Sequence, residues 1–369
     1  MASNSRFRFC GEILIPSSDR NPFIKRDTVQ FSSGSVPKIS INFGVKNGAN
    51  CPYVGLQGFK HSTIKTRSKD NEPIEIEWEN RFDPDVVANV SRNSKFIVNL
   101  TERKEFITEW DMIECLENEL PKFKEDVVVR GRFVRRPGTG EYAGKFYDNF
   151  NIDSVLAASK VEDSSRSCRV TADLYYNKDC IDTADFKTNG IVHVSAYVPM
   201  WITSERAEMM VPFAVEFDPR NIQIAHNEIG FDPTTPQGKE QVQYYVDEIL
   251  GRKSKDYVKM RWSVNVVNGA EEKPFDESCL TSRQKREIEL GLSTIEDFRP
   301  LGTVYGPAIR EFKLHKNAMR GDTIYNDGPV EAYTVKEFEE LIYHPPVVES
   351  ADDVFSDVTE SDDADDLFD

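Results

Sequence analysis

Hydrophobic and polar residues alternate with the two-residue period of half-buried strands in several separate stretches of this chain. Residues 38–46 are the clearest. Ile39, Ile41, Phe43 and Val45 share one face, and Ser40, Asn42 and Gly44 the other. Asn47-Gly48 follows as a hairpin signal. Ahead of it, residues 6–15 place Phe7 and Phe9 together, and Gly11 predicts a bulge or bend. Residues 51–60 set Val54 and Leu56 against Tyr53, Gln57 and Phe59. A polar insertion spans 61–94. A helix is then predicted over 109–120, where Trp110, Ile113, Leu116 and Leu120 form the apolar stripe. Thr108 with Asp111 resembles a capping box at its start, and Pro121 follows its end. Two more strands, 126–136 and 145–155, flank the loop 137–144 (PGTGEYAG).

The resulting order, three strands, a helix and two strands, predicts a mainly β fold of the α+β class. Its N-terminal part reads as an OB-type β-barrel with one helix between strands three and four. A generic α+β sheet of unrelated topology is the alternative. Residues 158–167 (ASKVEDSSRS) read as a linker. Beyond them strands are predicted near 168–176, 190–201 and 209–217, then a helix from Thr235-Pro236 with Val242, Tyr245, Val246, Ile249 and Leu250 on one face and Gly251 at its end. A strand over 257–267 follows, with Val258, Met260, Trp262, Val264 and Val266 on one side. This second β-rich unit fits either an OB-like barrel or an unrelated small α+β domain. Residues 271–348 read as loosely packed helices and loops, with capping boxes at Thr281–Gln284 and Thr334–Glu337. The expected domains are therefore 1–157, 166–270, the 271–348 region, and a tail at 349–369.

Charge changes the picture. The chain has 369 residues and a net charge of −17, which by itself argues against a polyanionic partner. The charge is unevenly placed. Residues 1–160 carry 24 basic and 22 acidic side chains, whereas the last 21 residues carry ten acids and no Lys or Arg. Such an acidic run with little to bury does not repay its ordering entropy and is expected to stay disordered. Its two aromatics, Phe355 and Phe368, suit a basic and apolar pocket on a partner. No stretch approaches the roughly 20 apolar residues of a membrane span. The six cysteines lie far apart without a C-x-x-C, so reduced thiols in a cytoplasm are expected and a structural zinc site is not. The first residues show no apolar secretory signal.

Catalytic motifs are absent: no phosphate-binding Gly-rich loop, no G-x-S-x-G and no H-E-x-x-H. Asp83 and Asp85 flank Pro84, and their plain reading is a turn rather than a metal-dependent nuclease site. No enzyme, metal or cofactor is expected. Binding chemistry is richer. The outward positions of the predicted strands combine cations with flat rings: Lys46, Tyr53, Phe59, Lys60, Arg130, Arg132, Arg136, Lys145 and Tyr147. Arg6 and Arg8 alternate with the core-facing Phe7 and Phe9. Each residue alone is ordinary, but together they supply what single-stranded nucleic acid needs: charge for phosphates and rings for bases.

Three segments, ISINFGVKNGANCPYVGLQGF (39–59), VVVRGRFVRR (127–136) and GKFYDNFNIDSV (144–155), resemble single-stranded DNA-binding proteins of the bacterial and phage OB-fold type. The tail resembles the acidic arm of that family, which ends in an acidic-apolar tip; here Asp365, Asp366, Leu367, Phe368 and Asp369 take that place. In the family the tip ends on Phe, whereas Asp369 follows Phe368 here. The resemblance implies a cytoplasmic (for a virus, host-cytoplasmic) protein that coats single-stranded DNA in replication, recombination and repair. The tail would recruit partner proteins or compete with DNA. The long insertion, the second ordered region and the divergent tip look more like a tailed bacteriophage's replication protein, working as a monomer, than a small oligomeric host protein. The alternative function is structural: an OB-fold assembly protein of a phage particle without a DNA-binding role.

Overall fold

The computed structural model describes residues 5–17, 21–31, 34–48, 50–138, 142, 144–218, 234–244, 246–247, 254–270, 272–273, 275–299, 304–305, 309–317 and 330–345. The acidic tail, including Asp365 to Asp369, lies outside the described residues, as do Tyr245 and the predicted helix end at 249–251.

The chain is mostly strand with some helix. In its first part, β1 is Arg6–Leu14, β2 Ile24–Phe31, β3 Gly34–Lys46, β4 Tyr53–Phe59, β5 Thr63–Arg67 and β6 Pro73–Glu77. Helix α1 (Pro84–Asn89), β7 (Phe96–Asn99), β8 (Arg103–Phe106), helix α2 (Glu109–Glu119), β9 (Val127–Pro137) and β10 (Phe146–Ala157) follow. The second part holds β11 (Ser167–Tyr176), β12 (Ile181–Asp182), α3 (Phe186–Asn189), β13 (Val192–Ile202), β14 (Ala207–Phe217), α4 (Pro236–Tyr244), β15 (Tyr257–Gly269) and β16 (Glu272–Lys273). Last come α5 (Ser282–Glu289), β17 (Val304–Tyr305), β18 (Ile309–Asn317), β19 (Val330–Tyr333) and α6 (Val335–Glu339).

The pairings trace a circuit in the first part. β1 pairs β3, β3 pairs β4, β4 runs parallel to β10, β10 pairs β9, and β9 returns to β1. A second circuit has the same sense: β11 to β13, β13 to β14, β14 parallel to β18, β18 to β15, and β15 back to β11. In each, a helix (α2 or α4) lies in sequence between the third and fourth strands. β18 is a correction to the sequence reading, which saw loops in its place. Phe312 is half-buried and Leu314 fully buried, and the Arg, Glu and Lys around them mask so short an alternation. β2 was likewise missed because Lys25, Arg26 and Asp27 are consecutive; it is an outer strand against β3.

β1 joins the two circuits. Arg6 to Cys10 pair with β11 along one edge, and Arg6 to Gly11 pair with β9 along the other. From Glu12 onward β1 pairs with β3 instead. Gly11 sits at this change of partner, and a Cβ there would overlap the backbone carbonyl of Lys46. Backbone also approaches closely at Gly58, where a Cβ would come within 2.6 Å of the Trp110 backbone nitrogen. That absence lets α2 lie on β4 and bury Met112, Ile113, Leu116 and, just past the helix end, Leu120. Thr108 caps the helix by accepting a hydrogen bond from the Asp111 N–H, and Arg81 pairs with the buried Asp111 at 3.1 Å.

The core is continuous across both circuits. Phe133 of β9 contacts Phe150 within the first circuit and Phe213 and Phe312 of the second, with centroids 5.5, 5.8 and 5.9 Å apart. The inner face of β9 therefore reaches past its own circuit. Phe146 of β10 meets Tyr343 in an edge contact, and the Arg135 guanidinium lies over Phe146 and Phe213. The β3–β4 turn adds a polar clamp. Asn50 Nδ2 donates to the Val266 carbonyl (2.7 Å), its Oδ1 accepts from the Asn268 N–H (2.8 Å), and Cys51 N–H donates to the Asn268 carbonyl (2.8 Å). No helix among the described residues is long and apolar enough to cross a membrane.

Replacing Gly11 with Val forces a side chain into the Lys46 backbone at the strand switch. Gly11→Val is expected to lower the unfolding free energy by about 3 kcal/mol, read from chemical denaturation. An unchanged midpoint would contradict the close approach at this residue.

Candidate nucleic-acid interface

Strand alternation decides which side chains leave the core. On β4, Val54 and Leu56 are buried while Tyr53 and Gln57 are exposed. On β9, Arg130, Arg132 and Arg136 point outward between buried Val129, Gly131 and Phe133. On β10, Tyr147 is exposed and Asn149 and Asn151 are half-buried. β4, β10 and β9 are neighbours in that order, so these side chains share the outer surface of three adjacent strands. Arg130 and Arg136 lie six residues apart, about 20 Å along the strand.

The nine sequence-predicted residues do not share one patch; three groups stand out, with Lys46 and Lys60 apart from them. The first is at the hairpin tip. Tyr147 stands opposite Arg136 in the β9–β10 register, and Tyr142 meets Tyr147 edge-on at 6.4 Å. The Lys145 ammonium lies 5.6 Å from the Tyr142 ring centroid. Tyr142 and Tyr147 are 48% and 45% exposed, and Tyr53 is 41% exposed, far more than a core ring. Tyr142 is a site residue that strand alternation does not reveal, since one ring among the glycines of the 137–144 loop gives no periodic signal.

The second group is at the far end of β4. Phe59 is half-buried and packs with Phe31 (5.9 Å) and His61 (6.1 Å), with Lys38 Nζ 5.9 Å from its centroid. Phe31 and Lys38 come from β2 and β3, paired across the sheet from β4, which single-strand patterns do not reveal. Lys60 does not join this ring group but lies over Trp78 at 5.8 Å, where the Arg81 guanidinium also stacks at 4.3 Å.

The third group lies at the seam with the second circuit. Arg130, Arg8 and Arg169 stand side by side across β9, β1 and β11. Arg8 is held by Ser167 Oγ (3.0 Å) at the start of β11 and by Asp163 of the segment joining the circuits. Arg130 has no ion-pair partner among the described residues; burial and the neighbouring Arg8 charge push its pKa down. Arg132 differs from the simple reading. It shares Asp153 with Arg6, at 3.3 and 2.6 Å, so part of its charge is already answered. Lys46 is exposed at the end of β3, opposite Glu12 of β1.

Asp83 stands at the turn just before Pro84. It is the N-cap of α1, its carboxylate accepting the Asp85 N–H at 2.9 Å. No group of three or more His, Cys, Asp or Glu able to hold a metal occurs among the described residues. Beneath the outer face, burial raises the pKa of Glu109 in the first turn of α2, an effect opposed by Arg132 and reinforced by Asp153.

Because the folded state binds the Glu109 proton more tightly than the unfolded chain does, protonation favours folding. That contribution is complete at low pH and is lost as pH rises through the raised value. A carboxyl-carbon NMR titration is expected to place Glu109 above the ordinary glutamate range, and Glu109→Gln is expected to remove this part of the pH dependence of stability. A midpoint at or below the ordinary value would contradict the burial.

No family model matches the chain, and no curated protein matches it. Among solved structures it is similar to a deletion mutant of the single-stranded DNA binding protein from Thermus aquaticus. The identity is 10% and the TM-score 0.29, over 72% of this chain and 88% of that one.

Proposed function

We propose that this protein binds single-stranded DNA without strong sequence preference, as a non-enzymatic, phage-type partner of replication, recombination and repair. The observation that carries the reading is the hairpin-tip group: Tyr142 and Tyr147 exposed as rings, with Lys145 and Arg136 beside them and no acid paired to either cation among the described residues. Exposed rings stack on unpaired bases, each worth about 1–3 kcal/mol, and the cations take phosphates. A duplex hides its base faces and has no use for the rings. On this reading the first circuit is an OB-type barrel formed by residues 1–157, since its strand order and the helix between its third and fourth strands are those of that fold. The second circuit is a second OB-type barrel, residues 166–270 completed by β18. The nine outward residues would lie along the strand's path, with Lys38, Phe31 and Tyr142 added to them. The acidic tail at 349–369 would dock partner proteins or occupy the basic groove when DNA is absent.

The structural-assembly alternative predicts no DNA binding, and one titration separates the two. Fluorescence anisotropy on the full chain at low salt is expected to show preference for single-stranded over duplex DNA, with affinity falling as salt rises. Arg136→Ala with Lys145→Ala is expected to reduce the steepness of the log-affinity against log-salt plot by about 1.4, roughly 0.7 for each lost phosphate contact. An unchanged slope would remove both residues from the site. Deleting 349–369 is expected to tighten binding through loss of self-competition. Unaltered affinity would leave partner docking as the tail's role.

A further inference from the structure

A cleft of about 710 Å³ opens between the first circuit and the second. On one side stand Tyr53 at the start of β4 and Tyr147 on the hairpin; on the other are strands β13, β14, β15 and β18. Its size is that of a ligand site rather than a packing defect. The Asn50 clamp and the Phe133–Phe213–Phe312 contact join the two sides.

The chemistry of the walls selects among ligands. Arg135 is paired with Asp148 at 3.0 Å, and Glu216 and Glu311 both lie on Lys313, at 3.0 and 3.4 Å. Arg310 is left as a lining cation without an ion-pair partner among the described residues. The cleft is thus close to neutral, which does not suit a run of phosphates. What it offers instead is ring faces and unused amide groups. The side chains of Asn149 and Asn268 line it and make no hydrogen bond among the described residues. Flat apolar surface with donors and acceptors at its edge is what a nucleobase needs, and one arginine at the rim suits one phosphate.

We propose that this cleft takes an unstacked base of the bound single strand, so that the strand crosses from the hairpin of the first circuit onto the second. The inference rests on the single-stranded DNA reading above, and adds to it a base subsite with walls from both circuits. Tyr53 and Tyr147 provide the stacking surface, Asn149 and Asn268 meet the base edge, and Arg310 meets the adjoining phosphate. Base contacts of this kind change affinity without changing the salt dependence, whereas a phosphate contact changes both.

The test uses the full chain and a thymidine oligonucleotide. Ala214→Leu, which fills the cleft from the exposed side of β14, and Asn268→Ala are each expected to weaken binding, about tenfold for the filling variant, with the salt slope unchanged. Arg310→Ala is expected to flatten the slope by about 0.7. Melting temperature reports whether each variant is folded. Independently of any variant, photo-crosslinking of the unaltered chain to a 5-iodouracil oligonucleotide is expected to mark Tyr53 or Tyr147. Folded variants that bind as the unaltered chain does, or crosslinks confined to residues outside the cleft, would overturn the subsite alone. Failure of the unaltered chain to bind single-stranded DNA would overturn the functional reading itself, and the subsite with it.

Discussion

β1 is hydrogen-bonded along both edges, to β9 on one and to β11 and then β3 on the other, and the rest of the molecule depends on that arrangement. One edge closes the first circuit. The other spends its first half on the second circuit and its second half on β3. Only a residue without a side chain fits where the partner changes, because the Lys46 carbonyl occupies the space a Cβ would need. The antiparallel β1–β11 register places Arg8 against Arg169, and with Arg130 it lines up three guanidinium groups across the seam. Like charges side by side are unfavourable unless answered, and Asp163 ahead of β11 and Ser167 at its start answer them in part.

This seam also sets where the exposed rings lie. The β9–β10 hairpin outgrows its own circuit, so its inner face, with Phe146 and Arg135, is used up against the second circuit. Its outer face, with Tyr147, Arg136 and Lys145, is left to solvent. Rings that could have been buried stand open while inner-face residues nearby are packed, and the proposed binding surface rests on that contrast. Net charge fits the same account. Ten of the chain's acids sit in the last 21 residues, and the first 160 residues are slightly basic.

Much of the strand framework was legible in the sequence because the alternation is strong where one face is buried. Residues 39–45, 127–133 and 258–266 each give a run of apolar positions at spacing two, and all are strands. The Thr108, Thr281 and Thr334 caps are equally local signals and are present. β2 and β18 were not legible, since outer charges interrupt their short alternation and only pairing with longer strands fixes them. The candidate site divides the same way. Which residues face outward follows from period two. That Arg132 shares Asp153 with Arg6, that Lys60 lies over Trp78, and that Phe31 and His61 join Phe59 depend on contacts between distant segments. The inter-circuit cleft belongs wholly to this second kind.

If the protein binds single-stranded DNA as proposed, its open rings meet unpaired bases. The most direct measurement is competition between single-stranded and duplex DNA of equal length for the full chain at low salt. The account predicts that duplex fails to displace the single strand at concentrations where unlabelled single strand displaces it. Equal displacement by both, or no binding of either, would contradict it.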